Sequence, residues 1–150
     1  MEYELERASK RGDLKKVKSL VKSGADPTDQ EVLIAAALHG HLNVVKYLVE
    51  EGATAINSAL TFSAEKGYLN IVKYLVEKGA NVKWMKGEAI KAAVLRGHLN
   101  VVKYLIDKGA SYARILKKHP DGSLLLQLDM SGDGKTIDRF AEQFLEKYGA

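Results

Sequence analysis

Residues 127–140, QLDMSGDGKTIDRF, hold the densest group of chemistry-bearing side chains in the sequence. Gly134-Lys135-Thr136 has the ending of a phosphate-binding loop, G-x-x-x-x-G-K-[ST], in which backbone N–H groups cradle phosphates and the lysine reaches the terminal ones. The first glycine of that pattern would fall at 129, but Asp129 stands there, and its carboxylate would face the phosphate. Asp129, Ser131, Asp133 and Gly134 also occupy positions 1, 3, 5 and 6 of a calcium loop. Position 12 should supply a bidentate Glu and is Phe140; position 8 should be apolar and is Thr136. The stretch reads best as a glycine-rich turn in which Asp133 caps a following helix. The histidines offer no metal site. His39 and His41 are two apart, so on a helix they point to different faces. No pair has the i, i+4 spacing of HExxH, and His119 precedes Pro120 with no partner nearby. No Ser/His/Asp or paired-carboxylate set can be localised either. The expectation is a protein that is not an enzyme and uses no cofactor and no metal.

With 150 residues, 46% apolar and 28% charged, the chain has the size and composition of one globular domain, residues 1–150. There is no cysteine, which excludes a disulfide framework and thiolate chemistry and is compatible with a reducing compartment. The start, MEYELERASKRGD, lacks the apolar core of a signal peptide. No apolar run approaches the ~18 residues of a membrane span. A cytoplasmic location away from membranes is expected. The net charge of +4 is mild; it suits acidic partners but does not by itself point to nucleic acid.

The elements that must position any site come from a repeat. RGDLKKVKSLVKSGAD, HGHLNVVKYLVEEGAT, KGYLNIVKYLVEKGAN and RGHLNVVKYLIDKGAS align on Gly12, Gly40, Gly67 and Gly97, at steps of 28, 27 and 30 residues. Self-similarity at such a period signals a solenoid. Each unit reads as two helices. In the second helix of the second unit, Leu42, Val45, Leu48 and Val49 share one face, and Gly52 sits where a left-handed C-cap is expected. The first helices, EVLIAAALHG, SALTFSAEKG and EAIKAAVLRG, carry small residues such as Ala36, Ala64 and Ala93 that permit close approach. One such pair cannot bury its apolar face alone, whereas a stack of three or more can.

The residues Gly40-His41-Leu42-Asn43-Val44-Val45-Lys46-Tyr47-Leu48-Val49, with Gly52-Ala53 and their counterparts, resemble the ankyrin repeat over about residues 2–111. The resemblance implies an all-α helical solenoid of stacked helix–turn–helix units. The steps are shorter than the usual ~33 residues, and the Thr-Pro-Leu-His opening is absent. Only Ala53–Asn57 separate Gly52 from Ser58, so the projecting β-hairpin fingers are expected to be shortened or missing. The family's role in recognition implies a protein-binding adaptor, scaffold or inhibitor that contacts its partner through the concave first-helix surface. In ankyrin-like proteins the two residues before each glycine face that side. Here they are Lys10 and Arg11, Leu38 and His39, Glu65 and Lys66, Leu95 and Arg96. Arg11, His39, Lys66 and Arg96 would form a basic row favouring a protein with an acidic surface, or alternatively an anion or small ligand. The same position assigns His41 and His98 to ordering the turn.

Lys46, Lys73 and Lys103 fall outside the apolar face and read as solvated charges, each able to pair with Glu50, Glu77 or Asp107 one turn on. Tyr47, Tyr74 and Tyr104 read as packing between units. Trp84, in an unmatched insertion flanked by Lys83 and Lys86, could anchor a partner or tuck under its loop. Beyond Ser111 the repeat decays into a degenerate unit and cap, about residues 112–150. YARILKKHPDG starts like a first helix. In SLLLQLDM, residues 124–130 alternate as a strand would, yet helix is preferred because a lone strand would have no partner. Ile137, Phe140, Phe144 and Leu145 share a helical face suited to cap the solenoid's apolar end.

Overall fold

The computed structural model describes residues 2–110 and the backbone of 116–118 and 124–126. Four helix pairs follow one another: α1 (Glu2–Arg11) and α2 (Leu14–Lys22), α3 (Gln30–Leu38) and α4 (Leu42–Glu50), α5 (Ile56–Lys66) and α6 (Leu69–Glu77), α7 (Trp84–Leu95) and α8 (Leu99–Asp107). Every helix end is set by a glycine. Gly12, Gly40, Gly67 and Gly97 close the first helices, and Gly24, Gly52, Gly79 and Gly109 the second, all at positive φ. At Gly40 the next N–H, of His41, reaches back to the Ala36 carbonyl at 2.9 Å, and at Gly52 that of Ala53 reaches Leu48 at 2.9 Å. This six-to-one closure satisfies carbonyls that the helix would leave orphaned, and only glycine enters the left-handed turn freely.

The core is one continuous seam. Leu33 and Leu60 of the first helices and Leu48, Leu75 and Leu105 of the second are fully buried, and Ala36, Ala64 and Ala93 fill the gaps between neighbouring units. The first helices pack tightly against each other; the second helices approach one another less closely. The row therefore curves toward its first-helix side. Helix joins the sequence to a solenoid as expected, and no strand forms between α1 and α8, so the hairpin fingers are missing there.

Two rows of contacts run from unit to unit. In the first, the side chain after each glycine crosses to the preceding unit. His41 covers Gly12, Tyr68 covers Gly40 and His98 covers Gly67, so closely that a Cβ on Gly12 would lie 2.3 Å from the His41 Nδ1. The His41 ring N–H at Nε2 also donates to the Lys10 carbonyl at 2.9 Å. These rings make no capping bond to their own helices. The histidine row is structural, but it fastens neighbours rather than ordering its own turn. In unit 1 the equivalent residue is Asp13, which instead caps α2 by accepting from the Lys16 N–H at 3.1 Å.

The second row corrects the reading of the lysines. Lys18, Lys46 and Lys73 do not pair along their own helices; among the described residues the one side-chain ion pair lies elsewhere, between Arg96 and Glu65. Their ammonium groups sit over the tyrosine rings of the following unit, Lys18 over Tyr47 at 5.6 Å, Lys46 over Tyr74 at 5.7 Å and Lys73 over Tyr104 at 5.8 Å. Tyr74 adds a long hydrogen bond from its hydroxyl to the Lys46 carbonyl, 3.4 Å. The tyrosines pack between units as expected, and burial pushes their hydroxyl pKa values up.

The local reading of residues 112–130 needs a further correction. Leu116–Lys118 (β1) and Leu124–Leu126 (β2) are antiparallel strands, with Leu116 opposite Leu126 and Lys118 opposite Leu124. The partner thought to be lacking is Leu116–Lys118 itself. Leu124–Leu126 is wholly apolar and Leu116 lies opposite Leu126, while the sequence HPDGS between the two segments holds Pro, Asp and Gly, residue types that favour a hairpin connection over a continuous helix. The turn at 129–140 and the cap at 137–145 lie outside the described residues.

Candidate functional site

First helices expose one stripe each, because their other faces are committed to the core and to their neighbours. Counting back from the glycine, that stripe holds the last two residues and those a turn earlier. Lys10, Arg11, His39, Lys66 and Arg96 are exposed, and Leu38, Glu65 and Leu95 are half-buried. All eight are open to solvent on the first-helix side, but they divide into three environments rather than one basic row.

Between α5 and α7 lies a groove of about 420 Å³. Its apolar lining comes from Phe62, Met85, Ala92 and Leu95, with Thr61 beside them. Its rim is charged but balanced: Glu65 and Glu88 against Lys91 and Arg96. The Arg96 guanidinium meets the Glu65 carboxylate at 3.0 Å across the groove, so Arg96 is no longer a free cation of the row.

The second environment is the cationic stretch of units 1 to 3. Lys10, His39 and Lys66 face no carboxylate within ion-pair distance among the described residues. Partial burial, then the charges of Lys10, His41 and Lys66, hold the His39 imidazole below the usual histidine range.

Arg11 stands apart in the third. With Arg7, Glu4, Asp13 and Lys16 it lines a recess of about 240 Å³ on the outer face of unit 1. Positions 4 and 16 correspond by the glycine register to Val32, Ala59 and Ala89, and to Val44, Ile71 and Val101, all buried. The recess keeps the shape of an inter-unit seat but has charged walls. Such a polar outer face suits an end unit of a solenoid.

Trp84 is half-buried at the start of α7 and does not line the groove; its neighbour Met85, 61% exposed, does. Met85, Lys86 and Gly87 have φ of 52°, 61° and 83° inside what is otherwise a helix. Non-glycine residues in the left-handed region are strained, by about 1–2 kcal/mol each. Sequence reasoning missed Phe62 and Met85. Phe62 was within reach: it lies one helical turn before Lys66, so extending the stripe backward by a turn finds it. Met85 was legible only as the neighbour of Trp84.

The family model described as Ankyrin repeats (3 copies) matches residues 5–84 and 55–116. The chain belongs to the ankyrin-repeat family. A search of curated proteins finds no match. Ankyrin repeats are generally protein–protein interaction modules and typically have no catalytic activity of their own. Among the described residues of this ankyrin-repeat chain, no helix is long and apolar enough to cross a membrane, and no cluster of three or more His, Cys, Asp or Glu could hold a metal ion.

Proposed function

We infer that this ankyrin-repeat protein is a non-enzymatic adaptor, scaffold or inhibitor that holds a partner protein against its first-helix face. One observation carries the reading: that face joins a half-buried apolar patch, Phe62, Ala92 and Leu95, to the unpaired cations Lys66 and Lys10, with the titratable His39 between them. A rigid solenoid that presents buried apolar area beside one sign of charge favours a partner with an apolar centre and an acidic margin. The proposed location is the cytoplasm, whose reducing conditions a cysteine-free chain tolerates.

Affinity purification from cells of the source, followed by mass spectrometry, tests this with three baits: wild type, Leu38→Asp/Leu95→Asp, and a control altered on the second helices, Asn43→Asp/Asn70→Asp. A partner retained by wild type and control but lost by the first-helix variant supports the reading. A partner retained by all three places recognition elsewhere and overturns it. The rival reading, an anion or small-ligand site spread along Arg11, His39, Lys66 and Arg96, is weakened by the Arg96–Glu65 pair and by the displacement of Arg11 into the unit 1 recess.

A further inference from the structure

We propose that the groove between α5 and α7 is a neutral socket for one large apolar side chain of the partner, and that the partner segment carries its acidic residues on one side of that anchor only, the side crossing Lys66, His39 and Lys10. The proposal rests on the first-helix reading above and adds the chemistry of the occupant. Charge decides the anchor. Glu65 and Glu88 cancel Lys91 and Arg96, and Arg96 is already held by Glu65 at 3.0 Å. An acidic side chain entering there would lose its hydration to meet a rim of zero net charge and would lie beside two carboxylates. A leucine, methionine or aromatic side chain meets Phe62, Met85, Ala92 and Leu95, and gains from leaving water.

Strain gives a second, independent pointer. The left-handed backbone of Met85 and Lys86 interrupts α7 where the groove opens and leaves the Met85 side chain 61% exposed at its mouth. Strain of this kind persists at sites where geometry serves binding, and an unbranched thioether adapts to the shape it meets. The direction of the acids follows from the row. Toward unit 1 the exposed basic side chains Lys66, His39 and Lys10 come from three successive first helices, the two lysines charged and His39 able to take up a proton beside an acidic partner. Packed helices lie about 8–10 Å apart, so an extended segment at ~3.3 Å per residue passes a new basic side chain about every three residues.

The test uses the whole chain as target for a displayed library of random linear peptides, with binders measured by fluorescence anisotropy. The expected result is a shared large apolar residue with acids enriched on one flank. Phe62→Glu and Leu95→Asp should each weaken the binders by about tenfold or more, while Lys66→Glu weakens them and reverses the preference for acids. Circular dichroism melts identify any variant that fails to fold; Met85→Asp, at an exposed position, supplies the same test without burying a charge. Binders that ignore Phe62, Leu95 and Met85 but lose affinity with Leu38→Asp or Lys66→Glu overturn the socket and leave the first-helix reading standing. Binders indifferent to both sets overturn both. Binders with acids at the anchor position, on both flanks alike, or a library yielding none above background, overturn the socket.

Discussion

Single atoms decide much of the stability of this chain, and three residues show how. A methyl on Gly12 would be strained by its φ of 75° and would also strike the His41 ring at 2.3 Å, whereas Gly24, at φ 106°, has open space around it. Gly12→Ala is therefore expected to lose more than Gly24→Ala, about 2–3 kcal/mol against about 1, in paired urea titrations. Ser9 is fully buried and its hydroxyl has no partner among the described residues, at a position where the other units have Ala37, Ala64 and Val94. Ser9→Ala should raise stability by about 1 kcal/mol, read in the same titrations, because a buried unpaired hydroxyl costs that much or more. His39 adds a pH dependence. Its folded pKa is depressed by burial and by Lys10, His41 and Lys66, so the unfolded chain takes up its proton more readily. Stability contributed above the ordinary histidine range, near pH 6.5, is lost on acidification, and His39→Gln should flatten the slope of stability between about pH 5 and 7. An acidic partner reverses the preference by favouring the charged ring, so binders of the first-helix face should tighten over the same interval. The glycines and their left-handed turns were legible in the sequence, since nothing else suits that backbone. The ring that covers Gly12 was not, because it comes from the next unit.

At the scale of helices, the sequence displayed rows but concealed pairings. Lys46 with Glu50 has good spacing for a bond along one helix, and nothing in the one-dimensional pattern says that Tyr74, a repeat later, competes for the same ammonium. The ring competes because its face lies 5.7 Å from the Lys46 ammonium, within cation–π reach. It follows that Lys46→Met, which keeps the stem and removes the charge, should lose under about 1 kcal/mol. Tyr74→Ala removes a buried ring and should lose about 3 kcal/mol. Thermal melts of the two variants and the double mutant measure the coupling, and a double loss equal to the sum of the singles would dissolve the ladder as an energetic feature. The candidate site shows the same limit. The pair of residues before each glycine could be read off, yet their division into a neutral groove and a cationic stretch appeared only when Glu65 and Arg96, 31 residues apart, met across α5 and α7. The strain at Met85 and Lys86 left no sequence mark, because neither residue type asks for a left-handed turn.

Taken as a whole, the molecule is a one-dimensional stack, and a stack must decide where it stops. At the register positions of Glu4 and Lys16, units 2 to 4 bury Val32, Ala59 or Ala89 and Val44, Ile71 or Val101. Unit 1 presents Glu4 and Lys16 at those same places, together with Asp13 where its neighbours offer His41, Tyr68 and His98. The backbone of the seat is preserved while its chemistry refuses an apolar neighbour: docking a fifth unit there would bury two charges with no partner on the incoming face. Replacing both, Glu4→Val with Lys16→Val, should leave the fold of units 1 to 4 intact and turn the outer face of α1 and α2 into an apolar one of the kind the other units bury. Sedimentation velocity is then expected to show concentration-dependent association of the double variant at concentrations where the parent shows none. Since the exposed seat lies at one end and the Phe62 groove on another face, peptide binders of the first helices should bind the variant as they bind the parent. If the double variant sediments like the parent, shape rather than charge ends the row, and the polarity of unit 1 has some other cause.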